Sequence, residues 1–319
     1  VANRKVREIV ASAPGKVNLH LGVGEARADG YHDLVSVFHA VDRREVVRLR
    51  IDGDPVAGPA VETMRTTFFV DRPDEDIDGP GNLAWRAVEA VVARAGVDVP
   101  RVRIEVDKHV FVAGGMAGGS ADAAAALVAA NALVAEYGEP LSPEALHGLA
   151  ASLGADVPFS LMGGTALGTG RGDELVEMLS RGRLHWVFIN PKIGINTGKA
   201  FSLLDDLRHG NPALLPHLDS TQLSQVLTSG DVGRIAAALH NDLEEPALTL
   251  RPVLKRVLAA AGDAGRRAIV SGSGPTVAVL CDSADAARFA AEHVAEQFDA
   301  YEVFVAEGPD HGAVVERVS

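Results

Sequence analysis

The sequence predicts an α+β protein in which two domains, residues 1–165 and 166–319, form a two-domain α/β sandwich around a cleft. Three observations carry this. A chain of 319 residues with 47% apolar residues can bury two cores. The first half alternates strand-like segments with Ala-rich helical ones. The second half sets two apolar strands around a Gly-Ser-Gly turn, then a capped helix and a final strand. Phe, Tyr and Trp reach only 5% together, so the interior is aliphatic and its helices approach closely.

Residues 46–51 (Val-Val-Arg-Leu-Arg-Ile) and 102–106 (Val-Arg-Ile-Glu-Val) alternate apolar and polar, the period of a half-buried strand. Between them, Asp52 to Pro59 and Asp71 to Gly81 read as loops from their Pro, Gly and Asp content, and Asn82 to Ala95 as a helix. The stretch from Ala121 is strongly helical, with Ala on nearly every face, which predicts a helix buried between layers. Ser142-Pro143 opens another helix as N-cap and first residue; it carries Leu146, Leu149, Ala150 and Leu153 on one face and ends near Gly154. Beyond Gly163-Gly164, strands are predicted at His185–Asn190, Ala268–Val270, Thr276–Cys281 and Tyr301–Ala306, with a capped helix over Ser283–Phe298. Neither an internal repeat nor a low-complexity segment marks the boundary near residue 165.

The formal net charge of −13 repels a polyphosphate backbone, so nucleic acid is not an expected partner. A phosphorylated small molecule must then be received by a few placed cations and backbone N–H groups, which calls for a pocket. Cys281 is the sole cysteine, so neither an intrachain disulfide nor a thiolate metal cluster can form. The charged start to Glu8 and the short run Ile9-Val10-Ala11 do not make a signal peptide, and no apolar run reaches about 20 residues. A cytoplasmic location without membrane contact is expected; the oligomeric state is not readable.

The strongest chemical signal is Val112-Ala-Gly-Gly-Met-Ala-Gly-Gly-Ser-Ala-Asp122, placed after a strand and opening a helix. Glycines let the backbone approach an anion, and the helix start adds unpaired N–H groups and about half a positive charge. The loop is not the common ATPase loop, since Ser120 stands where that motif needs Lys, and no Gly-x-Gly-x-x-Gly occurs. The bland alternative is a glycine turn for tight packing. Lys16 and Asn18, two apart in Ala-Pro-Gly-Lys-Val-Asn-Leu, share one face of a strand; surface decoration is the alternative. Asp156, among apolar neighbours just past a helix end, is a candidate base or a buried cap. Ser271-Gly-Ser-Gly-Pro-Thr276 either contacts a phosphate or simply turns the chain. Tyr31, His32, Phe38 and Phe201 offer flat surfaces for stacking a base, or belong to the core.

These motifs in this order resemble the GHMP kinase superfamily of small-molecule kinases, and the resemblance spans the whole chain. Arg27-Ala-Asp-Gly-Tyr-His32, Gly154-Ala-Asp-Val-Pro-Phe159 and Ala166-Leu-Gly-Thr-Gly-Arg-Gly172 resemble the branch whose acceptor is a methylerythritol bearing a cytidine diphosphate, in the non-mevalonate route to isoprenoid precursors. The resemblance implies a first domain like ribosomal protein S5 domain 2 and a ferredoxin-like second one, with ATP and acceptor meeting in the cleft. It implies that Asp156 and Lys16 are catalytic. Phe111, Val112, Ala113, Gly114, Gly115, Met116, Ala117, Gly118, Gly119, Ser120 and Ala121 would hold the ATP phosphates, and Asn82 and Lys108 the nucleoside. Asn18, Tyr31, His32, Phe38, Thr197 and Phe201 would line the acceptor site. Mg²⁺ is expected to accompany ATP, with Ser120 a candidate ligand and no dedicated carboxylate cage. Two letters depart from the family pattern: Phe111 replaces the usual Pro, and Asp122 the Asn of some members. A mevalonate, homoserine or galactose kinase of the same superfamily is the nearer alternative; a non-catalytic sensor, which should have lost Lys16 or Asp156, is the more distant one.

Overall fold

The computed structural model describes residues 6–28, 30–73 and 76–319. Residues 1–5, Asp29 of the Arg27–His32 motif, and Asp74 and Glu75 of the Asp71–Gly81 loop lie outside the described residues.

Among the described residues the larger sheet has eight strands, built on the antiparallel pair Glu8–Ala26 and His32–Val56. Strand Val99–Lys108 pairs with His32–Val56 on its far side and runs parallel to Val61–Phe68, to which helix Leu83–Ala95 connects it. The expected alternation holds: Val102, Ile104 and Val106 are buried while Arg101 and Arg103 face water. The segment Asp52–Pro59, read as a loop from its composition, instead continues the strand to Val56. Its pairing register slips between Asp52 and Val56, so Val56 still meets Val99. A bulge absorbs the glycine and proline that suggested a loop.

The larger sheet also draws on the second half of the chain. Strands Thr165–Thr169 and Glu174–Glu177 form a hairpin beside His32–Val56; His240–Asn241 and Val314–Val318 both pair with Glu8–Ala26. The smaller sheet has four strands among the described residues, all antiparallel, in the order Glu302–Gly308, Leu184–Asn190, Val277–Cys281, Arg267–Val270. Helices Val253–Ala264 and Ala284–Gln297 cover it, the latter capped by Ser283 as the sequence indicates.

Side chains decide how the layers join. Val17, Leu19, Phe111 and Met116 from the first half share one buried cluster with Trp186, Phe188, Ala278 and Leu280 from the second. Helix Gly118–Ala135 begins inside the glycine loop, ahead of the expected Ala121, and is buried along most of its length. Its length and hydropathy match those of a membrane span, but 67% of it is buried inside the protein, which identifies a core helix. Helix Pro143–Leu153 is capped by the Ser142 hydroxyl, which accepts from Ala145 N at 3.3 Å, and it stops before Gly154.

Candidate active site

Strand Glu8–Ala26 slips register against its partner at Pro14/Gly15 and again at Asn18/His20. Bulges of this kind re-aim side chains, and the segment between them carries Lys16 and Asn18. Lys16 Nζ donates to Asn18 Oδ1 at 2.6 Å and to the carbonyl of Gly115 at 3.0 Å. Asp156 Oδ2 lies 3.9 Å from the same nitrogen. An ammonium has three protons, so one remains for the carboxylate side, where a reacting group would stand. Burial pushes the Lys16 pKa down from its ordinary value, opposed by the Asp156 charge. Asn18 is held in turn: its Nδ2 donates to Ser36 Oγ at 2.7 Å, and Ser36 Oγ donates to His20 O at 3.1 Å. Asp156 precedes the short helix Val157–Met162 without capping it by its side chain, which is about a third exposed. Both the base-like and the cation-like groups border one cavity of about 870 Å³.

The glycine loop reaches the same cavity through Ala113, Gly115, Ala117 and Ser120. Gly115 has φ +77°, and a Cβ there would sit 2.1 Å from the carbonyl oxygen of Ser271. The Ser271–Thr276 turn is therefore the backing of the loop: Ser271 Oγ donates to Gly115 O at 3.1 Å, the oxygen that also holds Lys16. Ala117 adopts the left-handed conformation at φ +58° and offers no side-chain cap to helix Gly118–Ala135. The first intrahelical bond is Ala121 N to Ala117 O at 2.9 Å, so the N–H groups of Gly118, Gly119 and Ser120 have no partner within the helix. Such a start receives an anion. Phe111 and Met116 anchor the loop from beneath with buried side chains, Phe111 packing on Phe304 at 4.5 Å between ring centres; a Cβ on Gly114 would sit 2.8 Å from both Phe111 Cβ and Thr276 Oγ1, and Ala121 is buried.

A second cavity, about 560 Å³, lies across the loop and is bordered by Asn82, Leu83, Lys108, Val112, Gly119 and Asp122 among others. Asn82 caps helix Leu83–Ala95 by accepting from Ala84 N at 2.8 Å and donates to Ile77 O at 2.9 Å. Lys108 is buried at the base of this cavity, 2.7 Å from both Glu45 Oε1 and Asp122 Oδ2. Two buried carboxylates share one ammonium. Burial and the neighbouring Asp122 charge push the Glu45 pKa up to about 8, against the pull of Lys108, and burial likewise raises Asp122. Glu45 belongs to no local motif, although its register carries a signal: it continues the inward face of Val47, Leu49 and Ile51, as Lys108 continues that of Val102, Ile104 and Val106.

At the far end of the first cavity, helix Thr197–Gly210 presents Phe201 one turn before Asp205. The His32 ring packs on Phe201 at 5.1 Å, and Asp205 Oδ1 lies 2.9 Å from His32 Nε2. Tyr31 borders the same end and is 61% exposed. Phe38, by contrast, stacks on Phe159 at 5.0 Å and lies 5.7 Å beneath Lys16. Thr197 Oγ1 pairs with Ser273 Oγ at 2.9 Å, tying the helix start to the Ser271–Thr276 turn. Ser36, Asp205 and the Ser271 hydroxyl join the site through pairings between distant segments that no local motif announces.

The GHMP kinases N terminal domain profile matches residues 82–164, and the GHMP kinases C terminal profile residues 223–300. The 4-diphosphocytidyl-2-C-methyl-D-erythritol kinase of Corynebacterium efficiens is 45% identical over 316 residues, covering 97% of this chain and 96% of the relative. That of Rhodococcus jostii is 47% identical, covering 96% and 94%. The crystal structure of a 4-(cytidine 5'-diphospho)-2C-methyl-D-erythritol kinase superposes with a TM-score of 0.70 at 32% identity, over 94% of this chain and 99% of that one. With the glycine loop, the Lys16–Asp156 pair and the architecture all in agreement, the chain belongs to the GHMP kinases, in the family of the 4-diphosphocytidyl-2-C-methyl-D-erythritol kinases.

Proposed function

We propose that the protein transfers the γ-phosphoryl group of ATP to the 2-hydroxyl of 4-diphosphocytidyl-2-C-methyl-D-erythritol, giving the 2-phosphate and ADP in non-mevalonate isoprenoid precursor synthesis. The observation that carries this reading is the shared cavity. Lys16, Asp156 and the helix start at Gly118 meet at one end of it, and His32 with Phe201 stands at the other.

In this mechanism Asp156 accepts the proton of the acceptor hydroxyl as its oxygen attacks the γ-phosphorus and the bond to the β-phosphate oxygen breaks. Lys16, fixed by Asn18 and the Gly115 carbonyl, faces the Asp156 carboxylate at 3.9 Å and steadies the hydroxyl. The loop residues 111–121 hold the phosphates through backbone N–H groups, and the second cavity, with Asn82 and Lys108 on its border, takes the nucleoside. Ser120, on the first helical turn, is the loop residue that would offer an oxygen to Mg²⁺ accompanying ATP, and the ion would supply charge neutralisation on the phosphates. Tyr31, His32 and Phe201 receive the cytosine, while Phe38 and Thr197 shape the passage to it. Residues 1–165 and 166–319 supply the two sides of the cleft, in a cytoplasmic enzyme.

The test is ADP release with ATP and Mg²⁺, offering 4-diphosphocytidyl-2-C-methyl-D-erythritol, mevalonate, homoserine and galactose in parallel. Turnover of the cytidyl compound alone is expected. Turnover of a different acceptor would retain the phosphoryl-transfer site and remove the base-binding role of Tyr31, His32 and Phe201.

A further inference from the structure

We propose that Asp205 is a positioning residue that fixes which ring nitrogen of His32 carries the proton, and so makes the acceptor site select a pyrimidine bearing an amino group over one bearing a carbonyl. The inference rests on the cytidyl reading above and adds to it a residue and a selection rule.

Phe201 and Asp205 are four apart on helix Thr197–Gly210, so they share one face. Both touch the same imidazole: Phe201 packs on it at 5.1 Å between ring centres with the planes tilted by 37°, and Asp205 Oδ1 lies 2.9 Å from Nε2. His32 itself is 8% exposed and borders the cavity, as do Phe201 and Asp205. A carboxylate accepts and cannot donate, so Nε2 keeps its proton and points it at Asp205. In the neutral ring Nδ1 is then an acceptor. Nδ1 makes no hydrogen bond among the described residues, so its lone pair is available to a ligand.

An acceptor at this place has a definite preference. Cytosine presents an exocyclic amino donor where the corresponding uracil-type base presents a carbonyl acceptor. The first completes a hydrogen bond with Nδ1; the second sets two lone pairs against each other in a half-closed cavity and leaves both desolvated. The helix thus supplies a stacking surface and a tautomer lock from adjacent turns.

Asp205→Asn and Asp205→Glu test this, assayed with the cytidyl acceptor and with its uridyl counterpart, alongside long-range proton–nitrogen NMR of the His32 ring in the ligand-free protein. The wild type is expected to show the proton on Nε2. An Asn amide can turn its NH₂ toward Nε2, so in Asp205→Asn the proton should redistribute to Nδ1. With it, the KM for the cytidyl acceptor should rise about tenfold at little-changed kcat, and the cytidyl-to-uridyl ratio of kcat/KM should fall by about tenfold or more. Asp205→Glu, which retains the carboxylate, should recover most of the preference. An unchanged tautomer in Asp205→Asn, or a changed tautomer with unchanged base preference, overturns the proposal while the cytidyl kinase reading stands. A wild type that turns over neither nucleotide acceptor overturns both.

Discussion

Lys16 and Lys108 are both buried lysines, 4% and 2% exposed, on strands that flank His32–Val56 from either side. They differ in what holds them. Lys108 sits 2.7 Å from each of two carboxylates, both buried. Lys16 has neutral oxygens from Asn18 and Gly115 at bonding distance, and its one carboxylate, Asp156, stands off at 3.9 Å and is partly exposed. A cation saturated by buried charge is fixed in place; a cation held by neutral dipoles beside an open carboxylate still has attraction to give to an incoming group. Under the proposed mechanism, the contrast separates a lysine that organises the nucleotide side of the loop from one that faces the transferring group.

Four substitutions probe that contrast. Asp156→Asn should lower kcat by about 10²- to 10⁴-fold, the usual contribution of a general base, with ATP affinity measured by equilibrium binding little changed. Unaltered turnover would remove Asp156 from the mechanism. Lys108→Met leaves Glu45 and Asp122 buried and uncompensated, so unfolding by urea should show a loss of about 3–5 kcal/mol whatever happens to turnover; a loss under 1 kcal/mol would mean the triad is not holding the sheet. Gly115→Ala forces a Cβ against the Ser271 carbonyl at a positive φ, shifting the oxygen that anchors Lys16. The expected cost is about 1–3 kcal/mol, read as weaker ATP binding and slower turnover together.

The same buried triad also sets a pH dependence. Glu45 has a native pKa of about 8 against 4.5 for the free group. Between those values the folded protein holds a proton that the unfolded chain has released, so stability falls as pH rises through that window. Melting temperature should decline from about pH 5 to 8 in the wild type and become flatter in Glu45→Gln, which keeps the shape of the side chain without its titration. Equal slopes in the two proteins would mean that Glu45 does not hold the proton responsible.

Much of the candidate site is legible in the sequence. The glycine loop announces itself because phosphate binding by backbone requires small residues at a helix start, and Lys16 and Asn18 fall on one face because strand periodicity is two. Asp156 stood out as a carboxylate in apolar company. What stayed hidden depends on pairings between distant segments. Ser271 meets Gly115, and Asp205 meets His32, because two sheets and a connecting helix converge, which no local pattern encodes. Glu45 was readable in principle as a charge on an inward-facing register. The strand Val314–Val318 was missed because its two Val, Glu, Arg and Val letters barely alternate; the pairing with Glu8–Ala26 makes it a strand.

That last pairing sets an order of assembly. Ser12, on the strand that carries Lys16, donates its hydroxyl to Glu316, 304 residues away along the chain. A ribosome making this chain from its N-terminal side exposes the Lys16 strand early and delivers the strand that closes its outer edge only about 300 residues later. Until then the edge is an unpaired row of backbone groups open to any passing strand. The nascent enzyme is therefore most at risk of mispairing on the very strand that will carry Lys16, the lysine of the proposed transfer step.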